Sequence, residues 1–122
     1  MMLTAMLVLA AQGASPPERW VELSRNDLLI ESVDAGSMRI EGDRRIFRHR
    51  VAFTRPMPED TVSMEFGTEV DCRRRTLALL SGATRNSAGE IIQSYQVPEP
   101  IPRRRERSDR EMIDFACRLN PG

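Results

Sequence analysis

Lysine is missing altogether from these 122 residues: all 18 basic side chains are arginine, and 18 acidic ones balance them to a formal net charge of zero. That balance excludes a global electrostatic pull toward nucleic acid or an anionic membrane, so any such affinity must reside in a local patch. The exclusive use of arginine reads first as coding bias, although the planar guanidinium fork does favour carboxylate and phosphate partners. Histidine occurs once, as His49, and cysteine only as Cys72 and Cys117. Those residues fall short of the roughly three or four clustered ligands that a metal site needs, and their spacing is wrong for one. A Gly-rich phosphate loop, a nucleophile elbow and a metalloprotease motif are all absent. Nothing in the chain demands an enzyme or calls for a cofactor.

What is present fits one globular domain. The length is that of a single domain of about 100 to 150 residues. A composition of 40% hydrophobic and 30% charged residues places the chain outside the disordered, fibrous and polytopic-membrane classes. Met1 to Ala11 form an apolar run too short to cross a bilayer but suited to the core of a secretory signal peptide, and small residues follow it. No arginine precedes the run, so the terminal amine alone supplies positive charge. Residues 1–15 are therefore read as a signal peptide or a short N-terminal anchor, and 16–122 as a single β-rich domain. The chain is expected to be exported, to the periplasm or the cell surface.

From Pro16 onward the hydrophobic pattern has mostly period two, the mark of strands with one buried face. "RWVELS", "DLLIESV" and a short piece with Met38 and Ile40 come first, with "DAGS" as a turn and Gly42 in "EGDR" able to take positive φ at a hairpin. Between Arg45 and Phe53, the residues Phe47, His49, Val51 and Phe53 share one face, and Arg48 and Arg50 the other. "TRPMPEDT" reads as a connecting loop because its prolines cannot donate to a ladder. Met64, Phe66, Val70 and Cys72 share a parity that Leu77 and Leu79 reverse, which requires a bulge, a bend or a full turn at Arg73 to Arg75. "RNSAGE" is a turn leading into the strand "IIQSYQV". "SDREMIDFACR" has the periodicity of a helix, with capping-box spacing between Ser108 and Glu111.

Two cysteines behind a signal-like segment point to an oxidising compartment, where a Cys72–Cys117 disulfide is the leading reading. A thiolate favoured by the neighbouring arginines would need a base, and His49 is the single histidine. His49 itself reads as a structural histidine satisfied at the sheet margin. Two arginine clusters remain, Arg73, Arg74 and Arg75, and Arg103, Arg104, Arg105 and Arg107. Either they protect an exposed edge or solvate a loop, or they form a patch for sulfated glycans, lipid phosphates or acidic protein surfaces. A disulfide that draws the terminal helix toward Cys72 would merge the two clusters.

Several features occur in a distinctive order: the signal segment, Trp20, "VDAGSM", the "VDC" triplet at Val70 to Cys72, the hairpin turn with Gly89, the "IP" pair at Ile101 and Pro102, and Cys117 on a terminal helix. In this order the chain resembles the surface-adhesin protein E-like family of small bacterial envelope proteins over about residues 19 to 118. The resemblance implies an α+β fold: a curved antiparallel sheet of about six strands, a C-terminal helix tied to it through Cys72 and Cys117, and no cofactor. It implies a non-catalytic binding module whose partner is an envelope or extracellular protein, with homodimerisation through a strand edge as a further expectation. A polyanion- or lipid-headgroup-binding module built on the arginine clusters is the alternative, and a small enzyme using His49 a third. Where the family has a "PGS"-like turn, this chain has "PRRRERS", a longer and basic approach to the helix.

Overall fold

The computed structural model describes residues 17–119. The segment read as a signal peptide or anchor lies outside them. Seven strands and one terminal helix make an α+β domain: β1 (Trp20–Arg25), β2 (Leu29–Asp34), β3 (Arg39–Glu41), β4 (Arg44–Met57), β5 (Thr61–Asp71), β6 (Thr76–Asn86), β7 (Ile91–Gln96) and α1 (Arg107–Arg118). The sheet is antiparallel and open, in the order β1-β2-β4-β5-β6-β7, with short β3 also paired to β4. Six strands thus lie on the main path, and β3 adds the seventh.

The period-two pattern survives in the fold. Arg45, Phe47 and His49 are buried on one face of β4, opposite Val70, Thr68 and Phe66 of β5. Helix α1 covers that face with Met112, Ile113 and Ala116, which join Val33, Phe47, Val70 and Leu77 in the core. At roughly 25 cal/mol per Å² of apolar surface, this contact supplies most of the reason for α1 to form, since a 12-residue helix is marginal alone. The helix begins two residues earlier than its sequence suggests. Its capping box pairs Glu106 with Asp109, not Ser108 with Glu111, and the Glu106 amide donates to Asp109 Oδ2 at 3.3 Å.

"TRPMPEDT" is not the loop its prolines suggest. β4 runs on through Pro56 to Met57, where the ladder to β5 is interrupted between Ala52 and Met57, so the proline sits where no ladder bond is needed. The reversal is then tight: the Thr61 amide donates to Pro58 O, and Glu59 and Asp60 both have positive φ, 64° and 58°. Two left-handed central residues match the twist of a hairpin, and Asp60 Oδ2 is held there by the Ser87 hydroxyl and amide. Gly42 takes φ 63° in the β3–β4 turn, as its sequence context leads one to expect.

Two polar knots hold the margins. Asp34 is buried and accepts from the amides of Arg19 (2.8 Å) and Gly36 (3.1 Å) and from Arg48 Nη2 (2.9 Å). Burial pushes its carboxyl up, but these donors and the Ser37 hydroxyl outweigh burial and hold it far below the usual carboxylate range. Beside it, Arg50 lies 4.0 Å and Arg48 5.3 Å from the Trp20 ring centroid, a cation–π stack that fastens β1 across the sheet. At the other end the buried Arg45 caps α1: Nε donates to Ala116 O (3.2 Å) and Nη2 to Leu119 O (3.1 Å), while Nη1 reaches Gly42 O (2.7 Å).

Candidate anion-binding site

The change of face at Arg73 to Arg75 is a full turn. Asp71 pairs with Thr76 across the β5–β6 hairpin, leaving Cys72, Arg73, Arg74 and Arg75 as its loop. Asp71 Oδ1 accepts from the amides of Arg73 (3.0 Å) and Arg74 (3.1 Å), the local arrangement that makes Asp a turn initiator. Arg75 closes the loop in the left-handed region at φ 57°. Three consecutive guanidinium groups are thereby held out on an exposed tip.

Cys72, the first loop residue, is bonded to Cys117 near the end of α1, with a Cα–Cα distance of 5.6 Å. The Cys72–Cys117 disulfide therefore ties the helix to the arginine-bearing hairpin. The chain entering the helix is tied there as well. Arg103 and Leu77 exchange backbone hydrogen bonds, each 2.8 Å, so "PRRRERS" begins as a one-bridge extension of the sheet beside β6. Arg104 then lies against the hairpin loop, and its Nη1 donates to Arg74 O at 3.2 Å. Clusters separated by some thirty residues of sequence form one surface.

Not every arginine in it is free. Arg75 pairs with Asp114, Arg103 Nε with Asp109 Oδ1 at 3.3 Å, and Arg107 Nε with Glu111 Oε1 at 3.4 Å. Arg73, Arg74, Arg104 and Arg105 are exposed and have no carboxylate partner among the described residues. Arg110 joins them, and single-sequence reasoning overlooked it. Helical side chains lean toward the helix start, so Arg110 reaches back and its Nη1 donates to Arg105 O at 2.7 Å. Its position one turn after Arg107 was the available signal. A groove lined by Arg74, Thr76, Ile101, Pro102 and the Arg103–Arg105 run crosses the patch. Ile101 on its wall is 77% exposed, more than any other large hydrophobic residue among those described.

His49 lies elsewhere and is not satisfied at a sheet margin. It sits inside β4, 6% exposed, with neither ring nitrogen hydrogen-bonded among the described residues, and its ring centroid is 5.6 Å from that of Phe66. Burial first, and then the positive charge of Arg103, push its pKa down to about 4, against a smaller opposing pull from Asp109. Among the described residues no carboxylate or nucleophile is hydrogen-bonded to the imidazole. Among the described residues no group of three or more His, Cys, Asp or Glu side chains is placed to hold a metal ion.

Compared with known proteins, the chain matches no family model, no curated protein and no solved structure.

Proposed function

We propose that this chain is an exported, non-catalytic binding module of the bacterial envelope that holds an anionic partner on the arginine patch. The observation that carries the reading is the convergence of Arg74, Arg104, Arg105 and Arg110, none of them neutralised by a carboxylate among the described residues. Protection of a strand edge does not require cations from three separate segments to meet. Guanidinium forks held at fixed spacing suit sulfate and phosphate oxygens, which they can engage in bidentate fashion. Export is supported by the disulfide, since such bonds persist in oxidising compartments. No described helix is long and apolar enough to cross a membrane. The order of features from Trp20 to Cys117 supports kinship with the surface-adhesin protein E-like family, whose named member is an adhesin.

Immobilised heparin tests the reading. The oxidised protein is expected to be retained and to elute earlier as salt rises, because exposed charges are screened within about 8 Å at physiological ionic strength. The double substitution Arg74→Ala with Arg104→Ala removes two exposed, unpaired cations and should weaken retention while leaving the thermal transition in place. Retention unchanged by that double substitution would refute the patch.

A second reading concerns β7. Its outer edge is unpaired among the described residues, its residues Ile91–Gln96 are mostly exposed, and they carry no charge to deter pairing. Such an edge suits antiparallel pairing with a second copy of the chain. Sedimentation equilibrium should then show a dimer that Gln93→Lys with Tyr95→Lys dissociates; a monomer at every concentration would rule it out.

A further inference from the structure

A soluble polyanion accounts for the arginines of the patch but leaves its most exposed apolar residue unused. Ile101 is 77% exposed on the wall of the cationic groove, between Pro100 and Pro102, with Pro98 just before. Prolines restrict φ and stiffen the segment, so the side chain is displayed on a rigid apex. Immediately after it the backbone of Arg103 is bridged to Leu77, and Arg104 is hydrogen-bonded to the hairpin loop. The isoleucine and the guanidinium groups therefore occupy one fixed surface.

We propose that this surface docks on a phosphate-bearing lipid layer, with Ile101 entering the headgroup–acyl boundary while the arginines engage the phosphates. The inference rests on the anion-binding reading above and names the source of the anion. Interfacial binding combines buried apolar area with attraction to anionic headgroups, and each component is weak without the other. A sulfated glycan offers oxygens but nothing to receive an aliphatic side chain. An acyl boundary offers both. Because the formal net charge is zero, the lipid field orients the molecule more than it attracts it, turning the patch toward the surface.

Sedimentation with vesicles of phosphatidylglycerol and phosphatidylcholine tests this, with pure phosphatidylcholine vesicles as the baseline and immobilised heparin run in parallel. The baseline also accounts for any partitioning by the apolar stretch Met1 to Ala11, which every variant shares. The full, oxidised chain is expected to bind the anionic vesicles in a salt-sensitive manner. Ile101→Ser should weaken that binding by about tenfold, the loss expected from an isoleucine that is buried in part, with heparin retention unchanged. Arg74→Ala with Arg104→Ala should weaken vesicle binding by about thirtyfold and heparin retention as well. Ile101 is exposed and outside every strand and helix, so an unchanged far-ultraviolet spectrum verifies that Ile101→Ser leaves the fold intact. Heparin retention without anionic-vesicle binding, or vesicle binding indifferent to Ile101→Ser, would overturn the lipid inference and leave the anion-binding reading standing. Failure of both matrices to respond to the arginine substitutions would overturn both.

Discussion

Replacing His49 with leucine should make the protein more stable at neutral pH and remove part of its sensitivity to acid. The imidazole is 6% exposed and both nitrogens lack partners among the described residues, and leaving such groups dry costs about 1–3 kcal/mol. Leucine, of similar volume, carries no polar atoms into that space. The pH term follows from the depressed pKa. In the unfolded chain the histidine titrates near its ordinary 6.5, and in the folded protein at about 4. The unfolded state therefore binds the proton first as pH falls. The stability tied to a neutral His49 is complete above about pH 6.5 and drains away between there and about pH 4, by about 3 kcal/mol in total. Asp34, held far below the usual range, keeps its contribution until the pH falls to ordinary carboxylate values and loses it progressively below them, while Glu31, raised mainly by burial, changes in the opposite sense. The informative quantity is thus the difference between wild type and His49→Leu in urea unfolding free energy at each pH from 7 to 4. That difference should be at least about 1 kcal/mol in favour of leucine at pH 7 and should widen steadily on acidification. A variant no more stable at pH 7, with an acid profile parallel to wild type, would show that the imidazole is not a buried, unpartnered base.

Three further outcomes follow from the same structure. Arg45→Met strips the guanidinium from the carbonyls of Gly42, Ala116 and Leu119 and should cost about 3 kcal/mol in chemical denaturation, with Arg45→Lys recovering only part because one ammonium cannot span all three. Glu59→Asn relieves a left-handed position in the β4–β5 turn and should raise stability by about 0.5 kcal/mol. Asp60→Gly should gain less, because Asp60 Oδ2 accepts from the Ser87 hydroxyl (2.6 Å) and amide (3.2 Å), and thermal melts of the two variants should rank them so. Cys72→Ala with Cys117→Ala opens a loop with a sequence separation of 45 and should cost about 4 kcal/mol in urea unfolding.

Much of the sheet was legible because period two is a local signal. Phe47 and His49 fall on the buried face, and the parity reversal around Arg73 to Arg75 correctly demanded an irregularity there. Arg45 shared the inward parity, yet a buried arginine on a strand makes sense only once a helix terminus lies over it. The Glu59–Asp60 turn was hidden because two acidic residues occupy positions that usually advertise themselves with Asn or Gly. The helix cap falls at Glu106 and Asp109, and the buried Asp109 also pairs with the exposed Arg103, a contact between a bridge residue and a helix that no local pattern encodes. The arginine clusters were evident as runs. Which members stay unneutralised depended on where α1 sets Asp109, Glu111 and Asp114.

The nearly sequential strand order has a kinetic consequence. β4, β5, β6 and β7 pair with their neighbours along the chain, and only short β3 intervenes between β2 and β4. Each of those pairings closes a modest loop, so the meander can zip from one hairpin to the next without waiting for a distant segment. Docking of α1 against β5 and β6 is the long-range step, and it brings Cys117 to Cys72. Oxidation is therefore expected to come last, after the sheet has formed. Pulsed alkylation during refolding should still find both thiols open at a time when strand amides already resist hydrogen exchange. Thiols that close before the sheet is protected would reverse that order.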